Sequence, residues 1–165
     1  MNIAGLCAAH QRIALDSHVF IYLAEQDPMH VRRAAGVIDA VADGAVEGSL
    51  SVVGVAEVLL GPAMRGEFIA VEQMAAEIDS TPNLKVVAVT PEIAIDAAVI
   101  GGLRRLKLAD AIHLASARAV GATAFVTNDR RLRSAAHLQV VYLDDLELDG
   151  DPIAGSSGRG ADLQP

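Results

Sequence analysis

The chain of 165 residues lacks the features that cross-link small domains or anchor proteins in membranes. Its single cysteine, Cys7, excludes a disulfide within the chain and a cysteine-based zinc site. No apolar run approaches the ~20 residues that span a bilayer, and residues 1–10 lack the basic start of a secretory signal. These absences predict a soluble, cytoplasmic protein with no membrane partner.

Tryptophan is absent and aromatic residues make up 3% of the chain, although 52% of its residues are hydrophobic. Ala, Val and Leu carry most of that hydrophobicity, which suits helices packed on a central sheet better than an aromatic-rich β-sandwich. A chain of this length can bury a core without cross-links, and we expect a single domain over residues 1–148. The linker-like composition of residues 149–165 predicts a flexible C-terminal tail.

Positive charge is scarce overall, since the formal net charge is −8. Such a balance by itself argues against a nucleic-acid partner, because phosphates favour basic surfaces. However, residues 101–133 carry a local net charge of +5, which leaves −13 for the rest of the chain. The cations of this segment are Arg104, Arg105, Lys107, Arg118, Arg130, Arg131 and Arg133. A solvated helix face with an arginine-rich loop explains the segment as well as an RNA-binding surface does.

Short β-type runs alternate with helical patterns along the chain. The predicted strands are residues 12–16, 48–52, 84–89, 122–127 and 139–143. The predicted helices lie near residues 18–25, 30–43, 54–64, 67–79, 91–105 and 109–120. Ser17 is a candidate cap for the first helix, Thr90 and Pro91 begin the fifth, and Gly121 ends the last. Five strands interleaved with helices predict an α/β fold with a parallel sheet.

Four carboxylates, Asp16, Glu57, Asp110 and Asp129, stand alone in or next to stretches that otherwise carry no charge. Glu57, for example, lies inside the otherwise uncharged run of residues 52–60, with no Lys or Arg nearby in sequence to pair with it. An unpaired carboxylate in a dry environment is costly, so it is normally neutralised, paired or bound to a metal. The pattern therefore predicts a metal site.

The predicted strands suggest where these acids meet. Asp16 ends the first strand and Asp129 follows the fourth, while Glu57 and Asp110 lie near the starts of two helices. In parallel sheets, ligands collect at the carboxyl ends of the strands. If the first and fourth strands are neighbours, all four carboxylates converge on one rim, where oxygen donors favour Mg²⁺ or Mn²⁺. No cluster of His or Cys suggests zinc.

Four segments around these acids resemble the acidic motifs of PIN-domain ribonucleases. The matching segments are Asp16-Ser-His-Val-Phe-Ile-Tyr-Leu23, Val55-Ala-Glu-Val-Leu59, Leu106-Lys-Leu-Ala-Asp-Ala-Ile-His-Leu-Ala115 and Thr127-Asn-Asp-Arg-Arg-Leu132. The resemblance covers residues 12–143, and the four motifs are specific in this order and spacing, although each alone is weak. The small single-domain form is similar to the VapC-type toxins of toxin–antitoxin pairs.

The resemblance implies a three-layer α/β/α fold whose five-stranded parallel sheet is ordered 3-2-1-4-5. It implies an endoribonuclease that depends on Mg²⁺ or Mn²⁺ and leaves 5′-phosphate and 3′-hydroxyl ends. It also implies a homodimer, formed through helices near residues 30–80, and a VapB-like antitoxin that inserts a segment into the acidic site. In two departures, Ala109 replaces a proline of many relatives, and Arg130 and Arg131 stand where some relatives carry a further acid. The second departure bears on the number of metal ions.

On this interpretation, Asp16, Asp110 and Asp129 hold the cation, and Glu57 orients the attacking water or completes the site. Candidates for hydrogen bonds around the site are Ser17, Thr127 and Asn128. Candidates for contacts with RNA phosphates are Arg130, Arg131 and Arg133. Without a metal, mutual repulsion is expected to raise the pKa values of the four carboxyls.

Each of these residues also has a purely structural interpretation. Asp16 is a candidate helix cap, Asp110 suits the first turn of a helix, and Asp129 suits a turn. His113, one turn after Asp110, is predicted to be a packed or hydrogen-bonded histidine rather than a ligand. His18 is predicted to be a neutral residue at a helix start.

Two other classes of function compete with the nuclease. The first is a phosphoryl-handling α/β protein, either a phosphatase or a receiver domain with Asp16 as the acceptor. Phosphatases of the haloacid-dehalogenase type need a second Asp two residues later, where this chain has His18, and residues 12–15 lack the acidic pair of receivers. The second class is a catalytically silent interaction module, against which the presence of all four acids argues.

Overall fold

The computed structural model describes residues 1–132 and 138–148. Arg133 and the predicted tail at residues 149–165 lie outside the described residues. The strands are β1 (Arg12–Leu15), β2 (Glu47–Ser51), β3 (Leu84–Val87), β4 (Ala124–Thr127) and β5 (Gln139–Tyr142). The helices are α1 (Ile3–Ala9), α2 (Ser17–Ala24), α3 (Val31–Ala42), α4 (Val52–Met64), α5 (Phe68–Ser80), α6 (Pro91–Arg104) and α7 (Leu108–Ala119), with a 3₁₀ turn at Leu143–Asp145. In the described ranges, no helix has the length and apolar character needed to cross a membrane.

The five strands form one parallel sheet in the order β3-β2-β1-β4-β5. The central strand β1 pairs with β4 in the register Ile13 to Ala124 and Leu15 to Val126. The α/β fold and the order 3-2-1-4-5 are thus confirmed, including the adjacency of the first and fourth strands. Since all strands run the same way, their carboxyl ends share one edge of the sheet.

Alternating side chains of β1 and β4 face opposite layers of helices. Ile13 and Leu15 pack in one core together with residues of α1 to α5. Ala14 and Phe125 face the other core, which α6 and α7 cover. Burial on both faces explains why these short strands are almost wholly apolar, and it completes the three-layer arrangement.

Helix ends follow local chemistry at most of the predicted positions. The Thr90 hydroxyl accepts a hydrogen bond from the Ile93 amide (3.3 Å), and Pro91 begins α6 as expected. Gly121 ends the segment after α7 with a φ of +70°, a conformation that suits glycine. The prediction that Ser17 caps α2 was wrong, because the helix begins at Ser17 and Asp16 takes the N-cap position.

Helix α1 has no counterpart among the predicted elements. It spans Ile3–Ala9, and the Asn2 side chain accepts a hydrogen bond from the Gly5 amide (2.9 Å) at its start. Only Leu6 of this helix is fully buried. A short helix with one buried residue shows no sequence periodicity, and its stability comes from packing against the rest of the domain.

Candidate active site

Asp16 lies directly after β1, at the carboxyl edge of the sheet. Its backbone amide donates to the Val126 carbonyl (2.9 Å), so the neighbouring strand fixes its position. The residue is 5% exposed. Its carboxylate accepts hydrogen bonds from the hydroxyls of Ser17 (3.2 Å) and Thr127. Although Asp16 occupies the N-cap position of α2, its side chain makes no capping bond, so the carboxylate faces its hydroxyl donors instead.

Glu57, in the second turn of α4, meets His113 of α7. The two side chains are joined by a 3.0 Å hydrogen bond between His113 Nε2 and Glu57 Oε2, and Nδ1 lies 2.7 Å from the Ser51 hydroxyl. That hydroxyl also accepts from the Gly54 amide (3.0 Å), which caps α4. Because the Ser51 hydroxyl accepts from Gly54, it directs its own proton to Nδ1 of His113. A neutral imidazole then carries its proton on Nε2 and donates it to Glu57.

The missing side chain at Gly54 lets α4 pack closely on β2. A Cβ at that position would lie 3.5 Å from His113 Cε1 and 2.6 Å from Leu50 Cδ1. The second distance is a steric clash, so Gly54 lets α4 lie directly against β2 and hold Glu57 over the sheet edge.

Asp16, Glu57 and His113 form a compact group of ligand atoms. One oxygen or nitrogen from each lies within 4.8 Å of the others, which is close enough for the three residues to share a metal ion. Asp16 and His113 are buried, and Glu57 is partly exposed. Both His113 nitrogens are hydrogen-bonded, so the atoms of this group that are open to a cation are the oxygens of Asp16 and Glu57. Carboxylate oxygens are the donors that Mg²⁺ and Mn²⁺ prefer, so the residues present fit such an ion.

Asp110 lies in the first turn of α7, as predicted. Partial burial and the nearby charge of Asp129 raise the pKa of this carboxyl, and the charge of Asp16 adds to the effect. The charges of Asp110, Asp129 and Asp16 therefore act on one another, although neither Asp110 nor Asp129 has an atom in the group of Asp16, Glu57 and His113. The structure brings two of the four predicted acids into direct reach of one another and sets the other two around them.

Asp129, in the loop after β4, is paired with Arg131. Arg131 Nε lies 2.9 and 3.0 Å from the two carboxylate oxygens, and a terminal nitrogen lies 2.5 Å from Oδ2. The Arg131 amide also donates to Oδ1 (2.9 Å). The guanidinium holds the pKa of the Asp129 carboxyl below its usual range.

The expected rise in pKa by mutual repulsion was wrong for three of the four acids. Burial raises the pKa of Asp16, but hydrogen bonds from His18 and Thr127 outweigh it and leave the pKa lowered. The hydrogen bond from His113 lowers the pKa of Glu57, and Arg131 lowers that of Asp129. Only Asp110, which has no such donor among its described contacts, shows the expected direction.

Two of the three predicted neighbours contact the site. Ser17 and Thr127 donate to Asp16, and the Thr127 hydroxyl also accepts from the Asp129 amide (3.0 Å). Asn128 instead exchanges hydrogen bonds with Asp144, its Nδ2 donating to Oδ1 (3.3 Å) and its Oδ1 accepting from the Asp144 amide (3.0 Å). Asn128 thus fastens the loop after β4 to the segment after β5.

The two adjacent arginines of this loop have different partners. Arg130 donates to both oxygens of Asp145 (2.8 and 3.1 Å) and lies over the Tyr142 ring at 4.1 Å from its centroid. Arg131 pairs with Asp129. Two of the three candidates for RNA contact, Arg130 and Arg131, are therefore engaged within the protein, and the third, Arg133, lies outside the described residues.

The histidines contribute more than the sequence indicated. His113 is hydrogen-bonded, as predicted, and it holds the Glu57 carboxylate close to Asp16. His18 Nδ1 lies 3.4 Å from Asp16 Oδ2, and this interaction raises the pKa of the imidazole, so its charged form is favoured beside Asp16. The spacing of His113 from Asp110, one helical turn, was the only sequence signal for its role.

Replacing Asp110 by Asn should stabilise the cation-free protein. A carboxyl whose pKa is raised by folding loses stability as it ionises with rising pH. We therefore expect Asp110→Asn to raise the melting temperature at neutral pH by about 2 °C, with the difference vanishing below the ordinary Asp pKa of ~3.9. Scanning calorimetry in EDTA measures this, with the exposed Asp39→Asn as a control expected to match wild type. A melting temperature that falls at neutral pH would contradict the prediction.

Comparisons with known proteins place this architecture among toxin–antitoxin structures. VapBC2 of Rickettsia felis, solved with a promoter DNA fragment, has a TM-score of 0.64 at 13% identity over 79% of this chain and 98% of that one. FitAcB of Neisseria gonorrhoeae has a TM-score of 0.62 at 20% identity, over 81% of this chain and 99% of that one. A toxin–antitoxin complex of Klebsiella pneumoniae has a TM-score of 0.60 at 17% identity, over 76% of this chain and 94% of that one. At these identities the likeness shows the fold alone.

No curated protein sequence matches the chain significantly. At the level of families, the model of the PIN domain matches residues 13–138, more than half of the chain and all of the site described above. The chain therefore belongs to the PIN domain family.

Proposed function

We propose that this PIN-domain protein is a VapC-type toxin, a cytoplasmic endoribonuclease that depends on Mg²⁺ or Mn²⁺. The observation that carries the proposal is the buried Asp16 carboxylate at the carboxyl edge of the sheet, beside a Glu57 carboxylate that His113 holds in place. Asp110 and Asp129 add two further carboxylates whose charges reach Asp16. This concentration of acids favours a cationic ligand.

In the proposed mechanism, Asp16, Asp110 and Asp129 would hold the cation at the sheet edge. The cation supplies Lewis acidity, which makes water nucleophilic near neutral pH and offsets charge developing on the phosphate. Ser17 and Thr127 donate to the two oxygens of Asp16 and so fix the orientation of its carboxylate. Fixed ligands lower the cost of ordering the site when the cation arrives.

Glu57 orients the attacking water in this mechanism. His113 Nε2 donates to Oε2 of Glu57, and Ser17 also acts as a donor to this carboxylate, so two side chains orient the group that would accept a proton from the water. The lowered pKa of Glu57 keeps it ionised and able to accept. Attack of water on phosphorus forms the new P–O bond and breaks the bond to the 3′-oxygen, which takes a proton from solvent; the products are 5′-phosphate and 3′-hydroxyl ends.

Family membership leaves the silent interaction module as the main competitor, because the phosphatase and receiver alternatives belong to other folds. The two are separated by cleavage of RNA by the purified protein with Mg²⁺ or Mn²⁺. Cation-dependent cleavage that is lost in Asp16→Asn supports the nuclease. Cation binding with no cleavage of any RNA, in a protein that still captures a partner, supports the module.

We propose that RNA phosphates contact the turn between α6 and α7. In the part of the chain that the structure describes, Arg105 and Lys107 are exposed and have no ion-pair partner. Lys107 is also the N-cap residue of α7, three positions before Asp110, and the start of this helix adds positive potential. Because Arg130 and Arg131 are paired within the protein, Arg105 and Lys107 are the cations of this turn that we expect to meet RNA phosphates beside the acids.

The double variant Arg105→Gln/Lys107→Gln should weaken RNA binding in an Asp16→Asn background that cannot cleave. Each lost phosphate contact lowers the slope of log affinity against log salt by about 0.7 for single strands, so we expect a decrease of about 1.4. Fluorescence anisotropy across a salt series measures the slope. Arg118→Gln, whose arginine is paired with Asp96 (3.2 Å), is the matched control. An unchanged slope in the double variant would exclude this turn as the RNA contact.

We propose that the antitoxin docks in an apolar groove that leads to Glu57. A cavity of about 470 Å³ lies between α2, α3, α4 and α5, and its apolar lining residues are Phe20, Leu23, Ala24, Ile38, Val58, Met74 and Ile78. A second cavity of about 190 Å³ shares Ala24, Val58 and Met74 with the first and reaches Glu57. An apolar helix fits such a groove, and a basic side chain at its end would meet the acidic site.

Met74→Glu should abolish complex formation with the product of the adjacent reading frame. A carboxylate in the groove removes apolar contact area and adds a charge that docking would desolvate. Co-expression and co-purification measure the complex. Met29→Glu, at a methionine that is 73% exposed and outside both cavities, is expected to retain the partner. Retention by both variants would contradict docking in this groove.

We also propose a homodimer. Within the expected region, the apolar side chains Leu60, Met64, Phe68 and Ile69 are exposed on α4 and α5. A second exposed apolar row, Ile95, Val99 and Leu103, lies on α6, outside that region. Light scattering of the purified chain tests the dimer. The variants Phe68→Glu and Val99→Glu distinguish the two surfaces, because only the substitution in the true interface should halve the molar mass.

A further inference from the structure

The carboxylate of Asp129 already has a cationic partner within its own loop. Both of its oxygens contact the Arg131 guanidinium, at 2.5 to 3.0 Å, and Oδ1 also accepts from the Arg131 amide (2.9 Å). Asp129 has a side chain that is 14% exposed, whereas Arg131 is 67% exposed. A partly buried acid is thus covered by a guanidinium that extends into solvent.

The arrangement is selective for one of two adjacent arginines. Arg130 is held away from Asp129 by its paired hydrogen bonds to Asp145 and by the Tyr142 ring. Arg131 is the neighbour whose charge reaches Asp110 as well as Asp129. The loop therefore directs a single positive charge at the acidic cluster.

An exposed ion pair of this kind is weak compared with a bound divalent ion. Such pairs contribute little because water screens the charges and long side chains lose freedom. A divalent cation that shares Asp129 with Asp16 and Asp110 gains several charged contacts at once. The guanidinium can then leave into solvent, since most of its side chain is already there.

We propose that Arg131 is an internal competitor of the divalent cation, which covers Asp129 in the cation-free protein and moves aside when the cation binds. This inference rests on the proposed cation site. It explains how the chain keeps the partly buried Asp129 carboxylate neutralised before the cation arrives. It also makes the resting cation affinity lower than the carboxylates alone would give.

Calorimetric titration with Mn²⁺ tests the competition directly, without reference to cleavage. We expect Arg131→Gln to bind Mn²⁺ about 3- to 10-fold more tightly than wild type, because the competing pair is gone. Arg130→Gln removes the same unit charge from the adjacent residue and is the matched control, with affinity expected within about 2-fold of wild type. Equal tightening in both variants would overturn the proposal, since charge alone would then explain the effect.

A double-mutant cycle with Asp129→Asn identifies the site of competition. In the Asp129→Asn background, Arg131→Gln is expected to leave Mn²⁺ affinity unchanged, because the contact it removes is already lost. Tightening that persists in this background would overturn the proposal. If wild type binds Mn²⁺ and Arg131→Gln binds it equally, only this inference fails. If neither protein nor any variant binds Mn²⁺ while all melt cooperatively, the proposed cation site fails with it.

Discussion

Asp16→Asn is expected to lower the rate of RNA cleavage by on the order of 10³-fold, the factor that corresponds to about 4 kcal/mol of transition-state stabilisation. Asp16 is the most buried of the four acids and the one that both hydroxyl donors orient. Asn has the same shape but carries no charge, so it can neither hold the cation as tightly nor offset its charge. Initial rates on a fixed RNA substrate, measured at saturating Mn²⁺, give the ratio.

The fold of this variant is expected to persist. The amide keeps one acceptor oxygen, so the cost is about one hydrogen bond, roughly 1 kcal/mol. Asp145→Asn is the matched control, because Asp145 pairs with Arg130 outside the acidic cluster. Cleavage by Asp16→Asn at the rate of Asp145→Asn, with both proteins folded, would remove Asp16 from the mechanism.

His113→Leu is expected to lower the cleavage rate by about 10- to 100-fold, the usual effect of losing a residue that orients a site group. Leucine fills a similar volume but offers no donor to Glu57. The Ser51 hydroxyl keeps its capping bond with Gly54, so α4 still begins at the same place. The rate should fall through misplacement of Glu57, and single-turnover kinetics at saturating RNA and cation isolate that step.

His10→Leu is the matched control for this substitution. His10 is also buried and hydrogen-bonded, with Nδ1 at 2.8 Å from the Thr123 hydroxyl. It lies before β1, at the edge of the sheet opposite the acids. Both variants are expected to lose some stability, but only His113→Leu should lose activity. Equal rates in the two variants would show that His113 acts through stability alone.

The sheet and the placement of its acids were predictable because they depend on local patterns. Apolar runs of four or five residues between helical segments mark β1 and β4, and a parallel sheet gathers whatever follows each strand at one edge. Asp16 and Asp129 follow these two strands, which are neighbours in the sheet. No knowledge of side-chain contacts was needed for that step.

The contacts that set the electrostatics were not predictable in this way. The bonds of His113 to Glu57 and Ser51 join residues 56 and 62 positions apart. Without them, repulsion among carboxylates was the only effect that the sequence made visible, and the expected direction of the pKa of Glu57 was wrong. The partner of Arg130 lies 15 positions away in the segment after β5, so its pairing with Asp145 was equally hidden.

Helix α1 shows a third limit. It packs against α3, where a Cβ at Gly36 would lie 2.5 Å from the end of the Ile3 side chain. The glycine that leaves room for Ile3 lies 33 positions away along the chain. Asn2 signals the start of a helix, but nothing local distinguishes seven such residues from a loop.

The central claim is that this acidic edge cleaves RNA by means of a divalent cation, and cleavage of total RNA by the purified protein tests it most directly. The reaction is run with Mg²⁺, with Mn²⁺ and with EDTA, and the product ends are mapped. The proposal predicts cleavage with either cation, none with EDTA, restoration when excess Mn²⁺ is added back, and 5′-phosphate ends. Cleavage that continues in EDTA, or 2′,3′-cyclic phosphate ends, would contradict it.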